Sequence, residues 1–76
     1  MISSNRNDLK QKFGAHLKKA RESKGLSLLD LEYRCDLNGS NISKIENGKF
    51  DIRLSTIVEL ARGLGIEPKE LLDFEF

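Results

Sequence analysis

From position 9 the apolar residues Leu9, Phe13, Leu17 and Ala20 return every three or four places, and Lys18, Lys19, Arg21 and Lys24 fill the turn before Gly25. That period puts one apolar stripe on a helix, and cations at its C-terminal end suit the helix dipole, so the spacing predicts a first helix ending at Gly25. Ser27 can cap a second helix, with Asp30 three places on reaching back as an acidic capping box and Leu28, Leu31 and Cys35 lining its inner face. Asp36 reads as a left-handed turn residue. Asn38 then caps a third helix that turns Ile42 and Ile45 inward and stops at Asn47-Gly48. After a loop from Lys49 to Arg53, the residues Leu54, Ile57, Val58, Leu60, Ala61 and Leu64 give a fourth helix, closed by Gly65, whose stripe can pack on more than one neighbour. Pro68 suits the first position of a short fifth helix presenting Leu71, Leu72 and Phe74. The pattern predicts an all-α fold of five helices without a strand.

Length and composition narrow the class. At 76 residues the whole of 1–76 is expected to be one domain, because a chain this size buries only roughly 60% of its unfolded surface and cannot divide its core. Its 38% hydrophobic and 33% charged residues fit a helical globular protein, not a disordered one. The formal net charge is only +1, yet positions 1–24 hold seven Lys and Arg against two acidic residues. The molecule is polarised, basic at its start and acidic towards its end. One cysteine permits no internal disulfide and points to a reducing, cytoplasmic setting. One Cys and one His cannot build a structural zinc site, so neither a metal nor a cofactor is expected. No apolar run approaches the ~18 residues of a membrane span.

The stretch CDLNGSNISKIENG, Cys35 to Gly48, carries the functional signal. Its isoleucines anchor one face of a helix while short amides and hydroxyls occupy the other. With the preceding helix it forms a helix-turn-helix over about 27–47, a unit whose second helix fits a major groove about 12 Å wide and reaches base edges from its N-terminal end. Asn38, Ser40, Asn41, Ser43 and Lys44 are suitable donors and acceptors there.

Over residues 9 to 74 the chain resembles the Cro/phage-repressor-type (XRE-type) helix-turn-helix regulators. The matching segments are GLS at Gly25 to Ser27, Leu31, CDL at Cys35 to Leu37, SNISKIENGK at Ser40 to Lys49, TIVELARGLGI at Thr56 to Ile66 and KELL at Lys69 to Leu72. In size and layout it is similar to the controller proteins of restriction-modification systems. The resemblance implies a compact five-helix, lambda-repressor-like DNA-binding domain. It implies base contacts from Asn38, Gly39, Ser40, Asn41 and Lys44, and phosphate contacts from Ser43, Asn47, Lys49, Arg53 and Arg34. It also implies a partly buried ion pair between Arg21 and Glu46. The expected function is that of a transcriptional regulator, not an enzyme, acting as a homodimer on palindromic double-stranded DNA. The dimerisation region, about 54–76, is expected to use Ile57, Leu60, Ile66, Leu71, Leu72, Phe74 and Phe76.

Leu28 and Glu32 depart from the family pattern, and Gly39 lacks a side chain to donate. Leu28 stands where a Gln usually touches the DNA backbone, and Gly39 offers no side chain where a long Arg or Gln reads bases. Glu32 replaces a small residue at the edge of the apolar face, so its carboxylate should bend outward or pair with Lys44 or Arg34. Tyr33 and Phe50 are expected at the surface, and His16 and Cys35 in packed positions rather than catalytic ones. Near-neutral charge, Leu28 and Glu32 also fit a second reading, a protein-binding helix-turn-helix module such as an antitoxin or adaptor.

Overall fold

The computed structural model describes residues 6–75. Four α-helices, α1 (Arg6–Ser23), α2 (Leu28–Arg34), α3 (Gly39–Glu46) and α4 (Leu54–Leu64), precede a 3-10 helix at Pro68–Leu72, and no strand occurs among the described residues. The predicted fifth helix is thus a five-residue 3-10 segment. Its backbone bonds span three residues, from the Glu70 N–H to the Glu67 carbonyl at 2.9 Å and from the Asp73 N–H to the Glu70 carbonyl at 3.4 Å. Such short runs favour the tighter winding.

Local chemistry sets the helix ends. Ser27 Oγ accepts from the Asp30 N–H at 3.0 Å while Asp30 Oδ2 accepts from the Ser27 N–H at 2.9 Å, so two orphan donors of α2 are satisfied reciprocally. That backbone bond from Ser27 holds the Asp30 carboxyl below its ordinary pKa. Asn38 Oδ1 accepts from the Asn41 N–H at 2.8 Å and starts α3. At the other end of α3, Gly48 adopts φ 74°, which lets the Lys49 N–H return to the Lys44 carbonyl at 2.9 Å.

The turn between α2 and α3 differs from the sequence expectation. Asp36 is not left-handed, since only glycines have positive φ among the described residues. The Asp36 N–H instead donates to Glu59 Oε1 on α4 at 3.2 Å, so a side chain from another helix does the work assigned to a local backbone twist.

Each element gives one fully buried leucine or isoleucine to a single core: Leu17, Leu31, Ile42, Leu60 and Leu71. Phe13, Ile45, Ala61 and Leu64 fill the space between them. Leu60 and Leu71 were expected to face a second copy, and their complete burial inside the protomer removes both from any dimer surface. Ile57, Ile66 and Phe74 only partly pack on this core, and Leu72 is exposed. Phe76 lies outside the described residues.

Two glycines set the helix crossings. A Cβ on Gly14 of α1 would overlap the Ile45 carbonyl oxygen and lie 2.5 Å from that of Glu46, so α1 can lie on the end of α3 only without a side chain there. A Cβ on Gly63 of α4 would meet Leu31 Cδ1 at 3.0 Å and Cys35 Cβ at 3.2 Å across the contact with α2. These crossings hold α2 and α3 as one rigid unit against α1 and α4.

Candidate nucleic-acid interface

The outward face of α3 follows from its inward one. Ile42 and Ile45 are buried, and at about 100° per residue the opposite side carries Ser40, Ser43, Lys44 and Asn47. Ser40, Lys44 and Asn47 are exposed and Ser43 is half-buried. Asn41 turns to a flank, where it lines a cleft with Leu37, Arg53 and Thr56. The structure therefore brings Ser40 and Lys44 together one turn apart and sets Asn41 to the side.

Hydrogen bonds refine the roles expected of the amides. The Asn38 oxygen is engaged in capping α3, which leaves its NH₂ free of that duty. Asn47 Nδ2 donates to the Ser43 carbonyl at 2.9 Å, so this side chain, expected at a phosphate, also closes the end of α3. The Lys44 ammonium lies 5.9 Å from the centroid of Phe50, close enough for a cation–π attraction that restrains a long side chain at the surface. Phe50 is thereby a neighbour of the reading helix rather than an isolated apolar spot, a role its sequence position did not disclose.

Cations frame this face unevenly. Lys49 and Arg53 are exposed in the loop that follows α3, and Arg53 precedes α4, whose first turn has no side-chain cap. Arg34 emerges about 160° around α2 from Glu32. Arg34 is exposed. Neither Arg34 nor Lys44 pairs with Glu32. The half-buried Glu32 sets its carboxylate beside Gly39 at the positive end of α3, where the helix dipole favours a negative charge.

The frame behind α3 is charged and buried. Arg21 Nε donates to Glu46 Oε2 at 2.7 Å, its second terminal nitrogen donates to Oε1 at 3.1 Å, and the first donates to the Leu26 carbonyl at 2.7 Å. With 9% and 5% of the two side chains exposed, this fork ties α1 to the last residue of α3 and to the turn before α2. The hydrogen bonds to Glu46 raise the Arg21 pKa further, so the guanidinium stays charged.

The remaining polar candidates are structural. His16 Nε2 lies 2.7 Å from the Glu70 carbonyl, with its ring tilted against Phe74 at 5.3 Å, which ties α1 to the 3-10 helix. Cys35 Sγ donates to the Leu31 carbonyl at 3.2 Å, and burial pushes its pKa up, away from thiolate reactivity. No helix among the described residues is long and apolar enough to cross a membrane.

A buried frame that holds two short helices at a fixed turn and leaves one polar helix face open defines a helix-turn-helix domain. The helix-turn-helix domain family matches residues 14–75. The chain is 38% identical over 69 residues to control protein C.BamHI of Bacillus amyloliquefaciens, covering 90% of this chain and 85% of that protein. The crystal structure of the restriction-modification controller protein C.AhdI from Aeromonas hydrophila superposes with a TM-score of 0.85 at 35% identity, over 90% of this chain and 99% of that one. The controller protein C.Esp1396I, solved as a tetramer in complex with its natural 35 base-pair operator, superposes with a TM-score of 0.74 at 27% identity, over 86% of this chain and 96% of that one. This chain belongs to the XRE-type helix-turn-helix regulators, a DNA-binding and non-enzymatic family, within the restriction-modification controller group.

Proposed function

We propose that this protein regulates transcription in the cytoplasm by binding a palindromic operator in double-stranded DNA as a homodimer. The observation that carries the reading is the exposed face of α3, where Ser40 and Lys44 stand one turn apart over a helix anchored by Ile42 and Ile45. In the major groove Ser40 and Lys44 donate to base edges, Gly39 allows close approach, and Asn38 and Asn41 contact bases from the flanks. Ser43, Asn47, Lys49 and Arg53 fix register on the phosphates, with the uncapped start of α4 adding N–H donors.

The helix-turn-helix unit spans about 27–47 and the dimerising region about 54–76. Leu54 is 75% exposed and Val58 42%, one turn apart on α4, and with Ile57, Ile66, Leu72 and Phe74 they offer apolar area suited to a second copy. A two-fold pair of such domains sets its reading helices about 34 Å apart, one turn of DNA. The oligomeric operator complex of the controller relative supports this assembly.

The test is competition binding of the purified protein to the duplex upstream of its own coding sequence, against random duplex, across a salt series. With Lys49 and Arg53 of both copies displacing counterions from the phosphates, affinity should fall roughly a hundredfold between about 50 and 200 mM salt. Equal affinity for both duplexes at every salt concentration would contradict the proposal.

A further inference from the structure

The structure places the side chain of Glu32 on α2 beside Gly39, the first residue of α3. A Cβ built on Gly39 would lie 3.2 Å from Glu32 Oε1 and 3.8 Å from Cδ, with no other heavy atom within 4 Å. The carboxylate of α2 thus lies directly beside the place where a side chain on the first residue of α3 would begin. Leu31, its neighbour, is fully buried, so the backbone that carries Glu32 is fixed against the core. Among the described residues Glu32 makes no hydrogen bond or ion pair, and its oxygens keep free lone pairs.

We propose that Glu32 is a specificity-determining residue, a carboxylate reading the operator through the gap left by Gly39. This rests on the DNA-binding function proposed above. The N-terminal end of a reading helix meets base edges, and an ionised carboxylate only accepts hydrogen bonds. Its complement in the major groove is the exocyclic amino group of cytosine, whose edge offers a donor, whereas guanine presents two acceptors and repels it.

The experiment is selection of binding sites from a randomised duplex pool by the wild-type protein, Glu32→Ala and Glu32→Gln, each first shown by thermal melting to be folded. Wild type should enrich a cytosine at one fixed position in each half-site. Glu32→Ala should lose about tenfold discrimination there and keep the rest of the site unchanged. Glu32→Gln, carrying both a donor and an acceptor, should shift that position towards adenine. An unchanged cytosine preference in Glu32→Ala, or a uniform gain in affinity for every sequence, would overturn the assignment, the latter by showing that Glu32 only repels phosphate. Failure of wild type to enrich any sequence would instead refute the parent function, and it is read before any variant is made.

Discussion

Arg21 shows how much a single residue carries here. Its guanidinium makes a fork with Glu46 and a third bond to Leu26, and truncation strands a buried carboxylate at the end of α3. Arg21→Ala should therefore lose about 3–5 kcal/mol in denaturant unfolding, and a wild-type midpoint would contradict the pairing. Glycine substitutions separate two kinds of constraint. Gly14→Ala drives a methyl into the Ile45 carbonyl and should prevent a cooperative native fold, detectable as a lost thermal transition. Gly65→Ala meets nothing within 4 Å and suffers only from φ 71°, a cost of about 1–2 kcal/mol. Ser27 and Asp30 set an acid limit. Because the folded Asp30 carboxyl titrates below its unfolded value, the stabilisation from its bond is complete above the unfolded carboxylate range, about pH 4, and is lost as pH falls through the lower folded value. Ser27→Ala should cost about 1 kcal/mol at neutral pH and weaken the acid dependence of stability below about pH 4.

At the scale of elements, the exposed face of α3 and the frame behind it were legible in the sequence to different degrees. Ser27 with Asp30, Asn38, and Gly48 and Gly65 were readable because caps and stops are local chemistry, and the isoleucines of α3 because a period of 3.6 fixes which face is inside. The partners across elements were not. Gly14 looks like any glycine in a helix until α1 lies on α3, and no local rule links Asp36 to Glu59 or Lys44 to Phe50. Leu60 and Leu71 share an apolar stripe with partly exposed residues, so periodicity alone could not divide core from surface on α4 and the 3-10 helix. The Arg21 to Glu46 pairing came from family resemblance, not from spacing. A prediction about the reading element follows. Lys49→Ala and Arg53→Ala should weaken binding to specific and random duplex alike and each lower the salt slope by about 2 for a dimer, whereas Ser40→Ala should relax base preference with the slope unchanged. Equal effects of all three on the slope would contradict the division between phosphate and base contacts.

The whole molecule is a single core with a polar face on α3 and exposed apolar residues at Leu54 and Val58 on α4 and at Leu72 on the 3-10 helix. If those apolar residues join two copies, Leu54→Asp with Val58→Asp should yield a folded monomer in sedimentation equilibrium and cut operator affinity sharply, since one half-site must then hold alone. A dimer of unchanged strength would move the interface elsewhere. The outer side of α2 is a third surface, with Leu29 55% and Tyr33 81% exposed one turn apart. These surfaces occupy different elements, so one experiment can separate them. The decisive measurement is a titration of ¹⁵N-labelled protein with an operator duplex, followed amide by amide. The account predicts saturable shifts concentrated at residues 38–49, at Glu32 and at Arg53 and Leu54, with Leu29 unmoved. Shifts centred on Leu29 and Tyr33, or none at residues 38–49 at low salt, would contradict α3 as the reading helix.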